Sequence, residues 1–189
     1  MSVVAPPRGV PAPTTRGVSP YRTREKIGRV LWAVAQTVLF RWSFHTCYGW
    51  RRVLLRMFGA RIASTARIRR TVCIECPWNL AVGGETGIGD HATLYCLGPI
   101  TIGHRVTISQ HAHLCAGTHD YTDPDMRLLR PPIEVGNDVW ICADAFVGPG
   151  VHVGDGAILG ARGVAMHDLE PWTIFAGNPA RIVKPRPRA

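Results

Sequence analysis

A histidine followed by an acidic, proline-containing stretch could take part in acid–base chemistry, although on its own it is equally an ordinary polar turn residue. His119 stands in GTHDYTDP (117–124), where Asp120 and Tyr121 follow it directly. A neutral imidazole can accept a proton from a weak nucleophile at neutral pH and return it to a leaving group. Asp120 and the more distant Asp90 are the carboxylates that could orient this imidazole, and the sequence does not choose between them.

The cysteines and the other histidines lack the spacing of metal ligands. Cys73 and Cys76 form a CxxC motif among the six cysteines, but no second CxxC or HxxxH follows at a metal-binding distance. His111 and His113 lie two residues apart without a further histidine at matching spacing. We therefore expect no metal ion, and small reduced thiols of the kind usual in a cytoplasmic protein.

Charge is divided unevenly along the 189 residues. Residues 1–70 carry fourteen Lys and Arg against one acid, Glu25, whereas residues 71–189 carry eight against twelve acids. A basic front end on a mildly acidic body is not the surface of a nucleic-acid-binding protein. The start of the chain lacks the apolar region of a signal peptide, and the apolar run 30–40 is too short to span a bilayer. We expect a cytoplasmic protein.

The first 60 residues divide into two segments. Residues 1–23 are rich in proline and offer little to bury, which predicts a disordered leader. Residues 24–60 predict a basic amphipathic helical segment, with a break near Gly49 and an end at Gly59. Its apolar stripe, at spacings of three and four, consists of Ile27, Val30, Leu31, Val34 and Val38.

Two compatible interpretations of residues 24–58 remain open. Basic side chains interleaved with tryptophan and phenylalanine are typical of helices resting on an anionic membrane surface, here the inner face of the membrane. Alternatively, the helices cap the first coil of the domain that follows. The basic residues in question are Lys26, Arg29, Arg41, Arg51, Arg52 and Arg56.

From Arg61 onward the apolar period changes to six residues. The aliphatic positions are Ile62, Ile68, Ile74, Leu80, Val82, Ile88, Leu94, Ile100, Ile102, Ile108, Leu114, Val135, Ile141, Val147, Val153 and Leu159. A period of six predicts a parallel β-helix in which each aliphatic side chain points inward and stacks on the coils above and below. Two-residue shifts after Leu80 and Ile100 predict corner insertions, and 120–134 predicts an ejected loop.

Six motifs resemble the left-handed hexapeptide-repeat acyltransferases, and most closely the colanic-acid biosynthesis O-acetyltransferases. They are PWNLAVG (77–83), TISQ (107–110), GTHDYTDP (117–124), PPIEVGNDVWI (131–141), FVGPGVHVGDGAILGARGV (146–164) and DLEPWTIFAGNPARIV (168–183). The resemblance implies a mainly β fold: a left-handed parallel β-helix over 61–183 with an N-terminal helical segment, the ejected active-site loop and a flexible tail at 184–189. It also implies acetyl-CoA as donor, a sugar hydroxyl as acceptor, and a homotrimer with active sites between neighbouring prisms.

The resemblance further assigns roles to individual residues. His119 is the implied general base. The implied acceptor-binding residues are Asp90, Tyr95, Asp120 and Tyr121. The implied cofactor-binding residues are Trp140, Ala143, Ala161, Met166, His167, Arg181 and Lys184. Met166-His167 departs from the Thr-Lys pair common in relatives, so some contacts to the nucleotide differ here.

The function expected is therefore an acetyl-CoA-dependent O-acetyltransferase of exopolysaccharide biosynthesis, acting on a free or lipid-linked carbohydrate. Two alternatives stay open. One keeps the donor and changes the acceptor to an amino sugar, a nodulation-type oligosaccharide or serine. The other is a non-catalytic β-helix scaffold, which the intact GTHD sequence (117–120) disfavours.

Overall fold

The structure, a computed structural model, describes residues 19–188. Most of the predicted leader, residues 1–18, lies outside this range. Helix α1 spans Thr23–Ala35 and continues into a π-helical turn at Gln36–Phe40, and helix α2 spans Tyr48–Met57. Gly49 lies inside α2, so the predicted break is wrong; the helices are separated by residues 41–47 instead. Within the described range, no helix is long and apolar enough to cross a membrane.

Nineteen short strands follow the helices. They are β1 (Arg61–Ile62), β2 (Arg67–Ile68), β3 (Cys73–Ile74), β4 (Leu80–Val82), β5 (Gly87–Ile88), β6 (Thr93–Tyr95), β7 (Ile100–Ile102), β8 (Thr107–Ile108), β9 (His113–Cys115), β10 (Thr118–His119), β11 (Leu128–Leu129), β12 (Ile133–Val135), β13 (Trp140–Ile141), β14 (Phe146–Val147), β15 (His152–Val153), β16 (Ile158–Leu159), β17 (Val164–Ala165), β18 (Thr173–Ala176) and β19 (Arg181–Pro185).

Three sheets form the sides of a prism. Sheet A contains β1, β4, β7, β12 and β15; sheet B contains β2, β5, β8, β13, β16, β18 and β19; sheet C contains β3, β6, β9, β14 and β17. Strands within each sheet pair in parallel, except that β19 is antiparallel to β18. Because successive strands enter sheets A, B and C in turn, the chain winds as a solenoid.

The aliphatic residues of the six-residue period form the core of this solenoid. All sixteen are at most 5% exposed. They stack in register: Val82 of β4 pairs with Ile62 of β1 on one side and with Ile102 of β7 on the other. Apolar contact runs through the whole prism as a continuous column. The hexapeptide β-helix predicted from the period is confirmed.

All extra residues of the repeat are inserted at one corner. We call the connections from sheet C to sheet A the CA corner, and those from sheet B to sheet C the BC corner. The corner insertions between β3 and β4 and between β6 and β7 lie at the CA corner, and so does the long loop between β9 and β12. That loop occupies residues 116–132, not 120–134, because β9 ends at Cys115 and because Ile133 and Glu134 belong to β12. It contains the antiparallel hairpin β10–β11.

The N-terminal helices close the open end of the solenoid. Strands β1, β2 and β3 are edge strands whose outward backbone groups need partners. The indole Nε1 of Trp32 donates to the carbonyl of Ile74, at 2.6 Å. Arginine side chains donate to three further carbonyls of the first coil: Arg51 to Ile68, Arg52 to Ala66 and Arg56 to Ile62. These three guanidinium groups therefore hold the cap, as the second of the two interpretations expected, and are not available to lipid headgroups.

The end of the chain is ordered further than predicted. Lys184 pairs with Ile174 in the β18–β19 ladder. The guanidinium of Arg186 donates to the carbonyls of Asp138, at 2.7 Å, and Gly156, at 3.0 Å. The prediction of a flexible tail from residue 184 is therefore wrong for residues 184–186.

Candidate active site

His119 lies at the base of the hairpin that leaves the CA corner. In the β10–β11 ladder, Thr118 pairs with Leu129 and His119 pairs with Leu128. The side chain of His119 is exposed, as a base that must meet a substrate has to be. The rigid coil below supplies the fixed end of the hairpin, since β9 is paired on both sides within sheet C.

The imidazole is oriented by a backbone carbonyl. Nδ1 of His119 lies 2.5 Å from the carbonyl oxygen of Met126, across the turn of the hairpin. A carbonyl oxygen can only accept, so Nδ1 carries the hydrogen, and in the neutral imidazole Nε2 then has the lone pair. Met126 has a φ of +52°, a left-handed conformation that is uncommon for a residue with a side chain. Of the two neutral tautomers, this arrangement selects the one in which Nε2 is unprotonated.

Asp120 does not orient His119. Its Oδ1 accepts hydrogen bonds from the backbone N–H of Thr122, at 3.0 Å, and from the Thr122 hydroxyl, at 2.6 Å. Its Oδ2 lies 3.7 Å from Nη2 of Arg127. The hydrogen bond from the Thr122 hydroxyl contributes most to holding the pKa of the Asp120 carboxyl below its ordinary value, and the Thr122 N–H and the charge of Arg127 add to it. The Asp120 carboxylate therefore stabilises the turn that brings the Met126 carbonyl to His119. The next residue, Tyr121, is 85% exposed.

Asp90 lies at the other end of sheet C. Strands β6 and β9 are parallel neighbours; Asp90 precedes β6 at the BC corner, whereas His119 follows β9 at the CA corner. The Asp90 carboxylate accepts a hydrogen bond from the hydroxyl of Thr71, at 2.7 Å, and lies 3.7 Å from Nε of Arg69. Within one chain, Asp90 and His119 therefore do not meet.

A row of rings on the outer face of sheet C leads to the hairpin. Tyr95 and His113 make an edge contact with ring centroids 6.4 Å apart, and His113 and Phe146 make another at 5.3 Å. The chain leaves the coil at Gly117, which lies against the ring of Tyr95: a Cβ on Gly117 would be 3.2 Å from Cε1 of that ring. Tyr95 is thus adjacent to the start of the segment that carries His119. The implied acceptor residues Tyr95, Asp120 and Tyr121 share the CA corner with the base.

His113 was not predicted as a functional residue, and its environment is unusual. Its Nε2 is buried and, among residues 19–188, has no hydrogen-bond partner. Burial lowers the pKa of His113 below its ordinary value. The imidazole is therefore kept neutral inside the row of rings.

The residues implied for the cofactor fall into three places. Ala143 and Ala161 lie at the BC corner, where the N–H of Arg162 donates to the carbonyl of Ala143 at 2.9 Å. Met166 and His167 follow β17 at the CA corner, and both are exposed. Trp140 lies on β13 of sheet B and donates to the hydroxyl of Ser109, at 3.0 Å. Arg181 and Lys184 lie on β19, the exposed last strand of sheet B.

One chain therefore does not bring all the implied residues together. His119, Tyr95, Met166 and His167 lie at the CA corner, whereas Asp90, Ala143 and Ala161 lie at the BC corner. Sheet C separates the two corners. A single site containing both groups requires the CA corner of one chain to face the BC corner of another.

Two contacts that support the hairpin were not foreseen from the sequence. The guanidinium of Arg130 donates to the carboxylate of Glu25, at 3.0 Å, and ties the returning chain to α1. The carbonyl oxygen of Arg130 passes 2.5 Å from the place where a Cβ on Gly98 would stand, so only glycine fits there. A pairing 105 residues apart leaves no local pattern, although Gly98 could have signalled a close backbone approach.

The cysteines and histidines do not assemble a metal site within residues 19–188, where no group of three potential ligands is found. All six cysteines are free. Cys76 and Cys96 are buried on successive coils, and burial raises the pKa of their thiols to about 12 and about 11. Both are neutral, small core residues, in keeping with the structural role expected for them.

No protein-family model matches the chain. The chain is 41% identical over 156 residues to the "putative colanic acid biosynthesis acetyltransferase WcaF" of Escherichia coli strain K12, covering 82% of this chain and 86% of that protein. A maltose O-acetyltransferase from Clostridium difficile 630 superposes with a TM-score of 0.76 at 23% identity, covering 86% of this chain and 88% of that one. A hexapeptide-repeat acetyltransferase from Vibrio cholerae, solved with acetyl coenzyme A, superposes with a TM-score of 0.78 at 23% identity, covering 88% and 91%.

The two solved structures establish the shared fold, and the relative from Escherichia coli establishes the family. Its 41% identity to the chain extends over 156 residues, which is most of both proteins. The chain belongs to the family of the colanic acid biosynthesis acetyltransferase WcaF.

Proposed function

We propose that this protein transfers an acetyl group from acetyl-CoA to a hydroxyl group of a carbohydrate in exopolysaccharide biosynthesis, of the colanic-acid type. The observation that carries the proposal is the hydrogen bond between Nδ1 of His119 and the Met126 carbonyl, which leaves Nε2 as a base. Family membership supports the reaction type, since the relative from Escherichia coli is named as an acetyltransferase of colanic acid biosynthesis. The solved neighbours named for maltose and for acetyl coenzyme A support the acceptor class and the donor.

In the proposed reaction, the oxygen of the acceptor hydroxyl attacks the thioester carbonyl carbon, and Nε2 of His119 takes the proton of that hydroxyl. A C–O bond forms, and the carbonyl oxygen carries the negative charge of a tetrahedral intermediate. When the intermediate collapses, the C–S bond breaks and the imidazolium returns the proton to the departing sulfur. The Met126 carbonyl accepts from Nδ1–H throughout, and it stabilises the imidazolium while the charge is present.

The working unit in this proposal is a homotrimer. The separation of the implied residues between the CA and BC corners supports it, because adjacent chains related by a threefold axis can close one site from both corners. Asp90 would then serve the acceptor bound at the His119 of a neighbouring chain. Ala143 and Ala161 would line the pantetheine arm opposite Met166 and His167, and Arg181 and Lys184 on β19 would supply positive charge for the phosphates.

The acceptor would bind beside the hairpin, free or linked to lipid. Tyr95 and the exposed Tyr121 offer aromatic faces and hydroxyl groups of the kind that pack on sugar rings and bond their hydroxyls. We expect the reaction in the cytoplasm; the six free thiols support a reducing compartment.

Calorimetric titration with acetyl-CoA tests the donor. We expect micromolar binding that Lys184→Ala weakens and that Arg61→Ala leaves unchanged, because Arg61 is an exposed cation in the first coil, at the opposite end of the solenoid. CoA release measured across carbohydrates, amino sugars and serine then identifies the acceptor class. A protein that binds no acetyl-CoA would contradict the proposal and favour a scaffold role; binding with turnover only on serine or an amine would contradict the acceptor.

A further inference from the structure

The apolar stripe of α1 faces solvent. Ile27, Val30, Leu31, Val34 and Val38, which we call the outer stripe, are each between 56% and 64% exposed. The cap uses the opposite side of the same helix: Trp32, Ala35 and Phe40 are at most 7% exposed. A spacing of three and four places the outer stripe on one helical face. The segment therefore caps the solenoid with one face and leaves a second apolar face without a partner.

Exposed apolar side chains are concentrated on this segment. Within residues 19–188, seventeen large hydrophobic side chains are exposed, and eleven of them lie between residues 27 and 57. Beyond the outer stripe they are Leu39, Trp42, Phe44, Trp50, Val53 and Met57. Single exposed apolar residues are ordinary, but eleven of them within residues 27–57 indicate an interaction surface.

Positive charge borders the same surface. Arg22, Arg24 and Lys26 at the start of α1 are exposed. Between residues 19 and 60 the one acidic residue is Glu25, and it is neutralised by Arg130. Four other arginines of the cap are engaged elsewhere: Arg29 pairs with Glu75, and the three arginines of α2 bond the carbonyls of the first coil. Few cations are free, so apolar contact outweighs charge on this face.

We propose that the outer stripe docks on an anionic phospholipid surface. The apolar side chains of α1 enter the boundary between headgroups and acyl chains, and Arg22, Arg24 and Lys26 lie at headgroup level. The docking face is at the capped end of the solenoid, away from β19 at the other end. This inference concerns the location of the protein and does not depend on the identity of the acceptor.

Charge favours lipid over a second copy of the chain as the occupant. A second copy joined through the outer stripe offers the basic border of that stripe no free carboxylate from residues 19–60, because Glu25 is already paired with Arg130. An anionic headgroup layer complements the same border. The residues that we propose between subunits lie at the corners of sheet C and on β19, and the outer stripe is not among them.

Flotation of the full-length protein with vesicles tests the inference. The probes are phosphatidylcholine vesicles and vesicles of phosphatidylcholine with phosphatidylglycerol at about 3:1. The variant is Leu31→Gln with Val34→Gln, at positions 57% and 59% exposed; its matched control is Ile182→Gln with Val183→Gln, at positions 57% and 58% exposed. We expect wild type and control to float with the anionic vesicles and the outer-stripe variant to bind at least about tenfold more weakly.

A charge variant and a measurement of subunit number distinguish lipid from a second copy of the chain as the occupant. Arg24→Gln with Lys26→Gln should weaken binding by about tenfold or less and remove part of its salt dependence. Light scattering of the same proteins without lipid reports the number of subunits. Absence of vesicle binding by wild type, or equal loss in the stripe and control variants, would overturn the inference. A change in subunit number in the stripe variant, without any vesicle binding by wild type, would identify a second copy as the occupant.

Discussion

The Nδ1 of His119 and the carbonyl oxygen of Met126 face each other at 2.5 Å across an eight-residue turn, 120–127. A backbone carbonyl does the work that a carboxylate does in many histidine-based sites. No substitution of the Met126 side chain removes that carbonyl, so the geometry of the turn decides whether the base is held. The contacts that shape the turn are therefore the sensitive points of the site.

Asp120 offers the clearest test of that arrangement. Asp120→Asn keeps an oxygen that accepts from Thr122, whereas Asp120→Ala removes it. We expect Asp120→Ala to lower kcat by about 10- to 100-fold and Asp120→Asn by about threefold or less, since a positioning contact is lost only in the first. Steady-state kinetics of CoA release measure both. Equal large losses in the two variants would indicate that the negative charge itself orients His119.

Gly98 controls the return of the hairpin to the coil. Gly98→Ala places a Cβ 2.5 Å from the Arg130 carbonyl oxygen, so the backbone must shift at a cost of about 1–3 kcal/mol. Gly87→Ala is the matched control, because nothing lies within 4 Å of its Cβ position. Thermal denaturation should show a clear loss for Gly98→Ala and little change for Gly87→Ala. Equal melting temperatures would mean that the return path is looser than described.

Arg51 is the main polar anchor of the cap. It is fully buried, and its guanidinium donates to the carbonyls of Ile68, Phe44 and His45 and to the hydroxyl of Ser43. Arg51→Met removes the arginine donor from the carbonyls of Ile68 and His45, whereas the Phe44 carbonyl still accepts from the N–H of Cys47. The substitution should cost about 2–4 kcal/mol of unfolding free energy.

The control for Arg51 is Arg61→Met, which removes an exposed arginine of β1 and should change stability by about 0.5 kcal/mol or less. Urea denaturation of both variants compares the two positions. A similar, small effect in both would show that water replaces the anchor without cost.

Acid should destabilise the fold through His113. Burial lowers the pKa of His113, so the folded state binds a proton less readily than the unfolded state. Stability is therefore complete above the ordinary pKa of about 6.5 and is lost as the pH falls toward the lowered value. His113→Phe keeps a ring between Tyr95 and Phe146 and removes the titration. The fall in melting temperature between pH 7.5 and pH 5.5 should be smaller in this variant; an identical fall would place the sensitivity elsewhere.

The core was predictable because a strict period leaves a strong pattern. All sixteen aliphatic residues of the six-residue period, from Ile62 to Leu159, are buried, and they stack on their counterparts in neighbouring coils. The place where the repeat fails was also visible, and it contains His119. The period could not show the β10–β11 hairpin inside the loop that interrupts the repeat. Each of its strands has only two paired residues, which is too short for an alternating pattern to be recognised.

The partner of His119 was not predictable for a different reason. A carboxylate is visible in a sequence, whereas the carbonyl of Met126 is common to every residue and acts here because of a left-handed φ of +52°. The order of residues 184–186 was missed because its partners, the carbonyls of Asp138 and Gly156, lie far away in sequence. The sequence could not decide between a cap and a membrane surface because the two interpretations concern different faces of one helix. One face of α1 packs on the first coil, and the opposite face is exposed.

The most direct test of the central claim is the turnover number of His119→Gln on the acceptor that gives CoA release with wild type. Since Nε2 of His119 is the proposed base, kcat should fall by about 10²- to 10⁴-fold, while acetyl-CoA affinity and subunit number stay unchanged. Turnover within about threefold of wild type would contradict the account and show that another group deprotonates the acceptor.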